Sequence, residues 1–246
     1  MDRGPKMKRS KQVFTLLSLV TFLFCLCGPS LAQEDFTREE YKLFQKYQAA
    51  NKRFEKGKNE FGKGKIDKAE KEFNECLKIM PEHADSYFML AQIAYKNGDL
   101  ELAKSRMEQA KENYHFIVKM KMNMEQIRIL KMQEAKNSGT YDERGTEAID
   151  HRLNRPVATR EEIPADYHYV HGNILFKLRE FQNAHDMYIE AVTVDPKHKD
   201  AYNNLINIYL MSKQYQKGLD YLKIAEDNDV KINEKLKEAL LKAAGK

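Results

Sequence analysis

Few residues in this chain have the type and spacing to do chemistry. His168 and His171 stand three apart, a spacing that on a helix turns two imidazoles to one side and offers them to a metal ion. No Asp, Glu or Cys is evidently placed to complete such a site, and histidines at that spacing also serve in surface and interhelix packing. Met120, Met122 and Met124 alternate along the chain, and thioethers are soft ligands suited to Cu(I). On a helix, residues two apart point about 200° apart, so Met120 and Met124 form the usable pair while Met122 faces away. Methionine is equally a filler of irregular apolar surfaces. The chain has no glycine-rich phosphate loop, no His-Glu-x-x-His, no Cys-x-x-Cys and no nucleophile elbow. Its acidic residues alternate with Lys as on solvated helix faces instead of pairing in a cleft. The expectation is a protein without catalysis, cofactor or small-molecule substrate. A periplasmic Met-rich copper binder using Met120 and Met124 is the alternative.

The charge pattern narrows the partners. Of a formal net charge of +5 over 246 residues, most belongs to the first 32, which hold Arg3, Lys6, Lys8, Arg9 and Lys11 against Asp2. From Gln33 onward the balance is +1, and a nearly neutral chain does not call for a nucleic-acid partner, which is met by a basic face. The basic start precedes an uncharged stretch, Val13 to Cys27, then Gly28, Pro29 and the small-x-small triplet Ser30-Leu31-Ala32. That order reads as a secretory signal over 1–32 cleaved after Ala32. Its apolar stretch is shorter than the ~20 residues of a membrane span. No membrane span is expected after cleavage, and the compartment expected is the periplasm or the cell exterior of a bacterium. Cys25 and Cys27 would leave with the signal, so Cys76 has no internal disulfide partner.

What must position any site is a repeat. Lys56-Gly57-Lys58-Asn59-Glu60-Phe61 aligns with His171-Gly172-Asn173-Ile174-Leu175-Phe176 at an offset of 115, and Ala69, Phe73, Cys76 and Pro81 align with Ala184, Tyr188, Ala191 and Pro196 at the same offset. Adjacent copies are 34 apart, Ala69 to Ala103 and Ala184 to Gly218 among them. Four copies result, at 50–83, 84–117, 165–198 and 199–232. Within a copy, apolar residues recur at three and four, as in Tyr87, Leu90, Ala91, Ala94 and then Leu100, Ala103, Met107, Ala110, which predicts helix, turn, helix. Gly98 suits a left-handed helix end and Asp99 can cap the helix after it. Small residues such as Gly57, Ala69, Gly172 and Ala184 let paired helices approach closely, and Pro81 and Pro196 end the second helix.

The period of 34, the small residue early in the first helix, the Ala early in the second, the aromatic four residues later and the closing Pro resemble the tetratricopeptide repeat family. Two positions depart from its pattern: Gly218 replaces Ala, and His115 stands where the closing Pro belongs. The resemblance implies an all-α fold, a right-handed α-solenoid, whose first helices line a concave groove that binds a protein or peptide partner, and it implies no catalysis. Carrying the groove-facing positions over gives Phe88, Gln92 and Lys96 in repeat two, Tyr169, Asn173 and Lys177 in repeat three, and Asn203 and Asn207 with Asn204 beside them in repeat four. Related repeats that clamp a free C-terminal carboxylate use an Asn pair that Asn173 and Asn204 match. The basic residues of that clamp are replaced by Tyr169, Glu234 and Glu238, so a free C-terminus is not required of the ligand.

The flanks complete the map. Thr37 with Glu40 fits a capping box and Phe44, Tyr47 and Phe54 follow at helical spacing, predicting a lead-in helix over 33–49. The 47 residues 118–164 form an insertion. Its apolar phase continues that of repeat two through Met120, Met124, Ile127 and Leu130, predicting that the helix runs to about residue 137, with a polar loop over 139–164. Over 233–246, Asn233 caps a helix whose Leu236 and Leu240 close the last apolar face.

Overall fold

The computed structural model describes residues 31–137, 139 and 162–245. Most of the expected signal and most of the expected polar loop lie outside the described residues. The chain divides into two units, 1–45 and 46–246. The described part of the first, residues 31–45, is helical, and the repeats lie in the second.

Among the described residues the structure is all helical, and no helix is long and apolar enough to cross a membrane. The elements are α1 (Leu31–Gly62), α2 (Ile66–Ile79), α3 (Ala84–Asn97), α4 (Leu100–Asn137), α5 (Ala165–Lys177), α6 (Phe181–Val194), α7 (Lys199–Met211), α8 (Tyr215–Asp227) and α9 (Glu234–Ala243). They pair as a helix-turn-helix solenoid, α3 with α4, α5 with α6 and α7 with α8, with α9 packed on α7 and α8, and α1 meets α2 through Phe54 against Phe73 and Arg53 with Glu72. The lead-in helix and the first helix of repeat one are one helix. No Pro or Gly interrupts the chain between Leu31 and Gly57, so Thr37 lies inside α1 and does not cap its start.

Each intra-repeat turn places one residue in the left-handed region, two positions before the second helix. These are Gly64 (φ 73°), Gly98 (φ 83°), Arg179 (φ 64°) and Lys213 (φ 57°). The following amide N–H then reaches back to a carbonyl of the first helix, as in Asp99 N to Ala94 O at 3.0 Å and Glu180 N to Leu175 O at 2.9 Å, which satisfies acceptors that the helix end leaves open. Asp99 accepts from the Leu102 N–H at 3.2 Å. His83 and His198, 115 apart, use ring Nδ1 to accept from Ser86 N–H and Ala201 N–H at the starts of α3 and α7.

Close helix approach depends on the small residues. Phe73 and Tyr188 are buried in the crevices above Gly57 and Gly172, each worth about 2–3 kcal/mol as burial of an aromatic ring. The departure at Gly218 has a local cause: a Cβ there would lie 2.8 Å from Leu240 Cδ1. The capping helix occupies the space that an Ala takes in the other copies. At His115 the absence of Pro leaves α4 uninterrupted for 38 residues, about 57 Å at 1.5 Å per residue. Ile117 and Met120 remain in the core, and Lys121 Nζ sits 5.4 Å from the centre of the Tyr47 ring.

Repeat three packs directly on repeat two despite the insertion between them. Phe88 and Tyr167 stack with centroids 4.3 Å apart and planes 1° from parallel, and Tyr114 meets Tyr167 edge-on. The Tyr167 hydroxyl donates to Asp85 Oδ1 at 2.7 Å, and Lys104 pairs with Glu180 at 2.7 Å.

Candidate functional site

The first helices of repeats three and four meet the end of α3 around a cavity of about 180 Å³. It is lined by Tyr95, Asn173, Phe176, Lys177, Tyr188, Asn204 and Asn207. Helical spacing explains the set: Asn173, Phe176 and Lys177 lie three and four apart on α5, and Asn204 and Asn207 lie three apart on α7, so each helix turns one side to the cavity. Asn173 organises it. Its Oδ1 accepts from the Tyr188 hydroxyl at 2.8 Å and from Asn204 Nδ2 at 2.8 Å, which uses both lone pairs of that oxygen. Burial pushes the Tyr188 hydroxyl well above the ordinary tyrosine range, so it stays a donor near neutrality.

With the carboxamide of Asn173 oriented in this way, the group it offers an occupant is the Nδ2 amide N–H, a donor. Asn204 keeps its own Oδ1 as an acceptor, and Lys177 is the one charged side chain in the lining. Asn207 Nδ2 approaches Met211 Sδ at 3.7 Å. The cavity therefore presents donors and acceptors side by side, with Tyr95 and Phe176 as apolar walls. That chemistry suits the alternating C=O and N–H groups of a peptide backbone.

The structure brings together four of the nine groove positions read from the sequence: Asn173, Lys177, Asn204 and Asn207. The other five do not line it. Phe88 is committed to its stack on Tyr167. The amide of Gln92 lies 3.8 Å from Met89 Sδ, and Lys96 Nζ sits over the Phe61 ring at 4.5 Å. Tyr169 packs against His198 and Tyr188, with centroids 4.8 and 6.3 Å away. Asn203 does not line the cavity. It donates to the Lys199 carbonyl and accepts from the Asn233 backbone N–H at 3.0 Å, tying α7 to the residue that caps α9. Tyr95, Phe176 and Tyr188 complete the cavity and were not read from the sequence. Tyr188 stands at the aromatic core position of its repeat, and nothing in one sequence shows that its hydroxyl reaches across to Asn173.

The two pairs considered for metal are placed as follows. Met120 is 5% exposed and belongs to the core, Met122 is half-buried, and the Met124 side chain lies outside the described residues. His168 and His171 are both buried in α5. Among the described residues no group of three or more His, Cys, Asp or Glu side chains is arranged to hold a metal ion.

Comparison with known proteins bears on the repeats. Residues 60–116 and 169–229 each match a tetratricopeptide repeat family model. A TPR repeat-containing protein of Methanocaldococcus jannaschii is 24% identical over 131 residues, covering 51% of this chain and 21% of that protein. The chain thus spans about a fifth of the length of that relative. Among solved structures, PilW, a type IV pilus biogenesis factor, is similar at 15% identity over 80% of this chain and 87% of its own, with a TM-score of 0.42. Pseudomonas aeruginosa pilF is similar at 12% identity over 82% and 86%, with a TM-score of 0.40. The two family matches, one in each half of the array, support the tetratricopeptide repeat family for this chain. Proteins of that kind are in general non-enzymatic scaffolds consistent with protein or peptide interaction.

Proposed function

We propose that this protein is an exported interaction scaffold that holds a peptide segment or helix of a partner protein in the groove of its repeat array. The observation that carries the reading is the cavity formed by Asn173, Lys177, Asn204 and Asn207. There, an oriented carboxamide, a cation and two aromatic walls converge without a catalytic acid-base pair. Export rests on the order of basic, apolar and small residues in 1–32, and it places the partner in the periplasm or outside the cell.

The variant that tests the groove must leave the fold alone. Asn173→Ala would strand the buried Tyr188 hydroxyl and lower stability, so it confuses the two effects. Lys177→Ala with Asn207→Ala removes groups that, among the described residues, hold no buried hydrogen-bond network together. Peptides selected on the wild-type protein from a random display library are expected to bind this double variant at least about ten-fold more weakly, a loss of about 1.4 kcal/mol, with an unchanged melting curve. Equal binding by both proteins moves the site off the groove.

A further inference from the structure

The opposite side of α5 carries a second cluster. His168 and His171 are 7% and 9% exposed. Nδ1 of His168 and both ring nitrogens of His171 are buried without a hydrogen-bond partner, an arrangement that costs stability and calls for a reason. Both lie where repeat three meets repeat two, and His171 lines a cavity of about 280 Å³ between α4, α5 and α6. Two cations reach this place from α4: Lys104, paired with Glu180 at 2.7 Å, and Lys111, whose Nζ is 3.3 Å from Met187 Sδ.

We propose that His168 and His171 make the junction between repeats two and three an acid-sensitive joint, packed while both imidazoles are neutral and loosened when they take protons beside Lys104 and Lys111.

The charged groups around the pair are Lys104, Glu108 and Lys111 on α4, Glu180 in the α5–α6 turn, and Asp186 and Glu190 on α6. Glu180 is spent on Lys104 and Asn183. On α3, Asp85 accepts the Tyr167 hydroxyl. Burial first, and Lys111 second, hold each imidazole down to about 4 from an ordinary value of 6.5. The sign follows. The closed joint holds the neutral rings, and the open one binds protons from about pH 6.5 downward, so the joint is fully stable above that pH and weakens as pH falls from 6.5 towards 4. Only His and perturbed groups titrate in this range, ahead of the bulk of the carboxylates.

The joint also bears on the groove. Tyr95, on repeat two, walls the cavity whose other residues belong to repeats three and four, so loosening the joint withdraws that wall. Release of a bound peptide in acid rests on the groove reading. The joint itself does not, and its test contains no peptide.

Hydrogen exchange of the whole protein, corrected for the intrinsic pH dependence of amide exchange, is expected to show protection over 100–112 and 165–178 falling about ten-fold or more between pH 7 and 4.5. Protection over 215–227 should hold through the same range. In H168Q/H171L the fall is displaced by at least about one pH unit to the acid side. K111M, which puts a thioether beside Met187 and removes the cation that acts most strongly on both imidazoles, displaces it in the same direction and decides the matter should the double histidine variant not fold. A fall at the same pH in the variants and the wild type overturns the proposal, as does undiminished protection of the wild type down to pH 4.5.

Discussion

Gly172 and Tyr188 lie so close that a Cβ on the glycine would stand 2.6 Å from Cε1 of the ring. Tyr188 is buried, and its hydroxyl is held by Asn173 at 2.8 Å, so the ring cannot swing aside without giving up both. In an isolated helix Gly to Ala gains about 1 kcal/mol. Here Gly172→Ala is expected to destabilise by about 1–3 kcal/mol, because overpacking outweighs propensity. Chemical denaturation measures it, and a variant more stable than wild type would show that the crevice yields. The same substitution at Gly57, 2.6 Å from Phe73 Cε1, should act alike.

The close approach of the paired helices was legible in the sequence because it is a local demand repeated at a fixed interval. A small residue, an Ala and an aromatic recur together wherever two helices cross, and the period of 34 exposes them. The cavity was legible only in part. Asn173, Lys177, Asn204 and Asn207 follow from which side of α5 and α7 faces inward, a matter of helical phase. Tyr95 enters from another repeat, and Asn203 leaves for Asn233, 30 residues on. Such choices depend on the angle at which one repeat sits on the next, for which a single sequence holds no signal. Phe88 belongs with these. Its phase is that of a groove residue, but Tyr167 stacks on it across the insertion.

Arg179 and Lys213 occupy the left-handed positions that Gly64 and Gly98 hold in the first two repeats. A side chain in that region costs about 1–2 kcal/mol, of which glycine's greater unfolded-state entropy returns about 0.5–1. Among the described residues neither side chain forms an ion pair that would offset the strain. Arg179→Gly and Lys213→Gly are each expected to raise stability by about 0.5–1 kcal/mol, and because the two turns are separate the gains should add. A fall in the melting temperature of either variant would mean that these side chains carry an interaction worth more than the strain.

Cys76 takes the place of Ala110, Ala191 and Ala225 in the other copies and is fully buried. Burial pushes its thiol up to about 11, so hardly any thiolate is present near neutrality. In the native protein Cys76 should therefore alkylate slowly, at a rate that rises with denaturant, and Cys76→Ala should be nearly neutral because Ala is the residue that this crevice accepts elsewhere. Rapid native labelling would show that α2 opens locally.

The capping helix provides a coupling that a double-mutant cycle can read. Leu240 is fully buried, and its Cδ1 lies 2.8 Å from where a Cβ on Gly218 would be, with Tyr209 Cβ at 3.4 Å. Leu240→Ala leaves a cavity at the end of the array and should cost about 2–5 kcal/mol. Gly218→Ala alone should cost about 1–3 kcal/mol by collision with that leucine. Once Leu240 is shortened the collision disappears, and the alanine recovers its helix preference of about 1 kcal/mol. The double variant should thus be no less stable than Leu240→Ala alone, a coupling well beyond the few tenths of a kcal/mol seen between independent sites. Simple additivity of the two losses would show that Gly218 is not the seat of the cap, and that the glycine answers to Tyr209 instead.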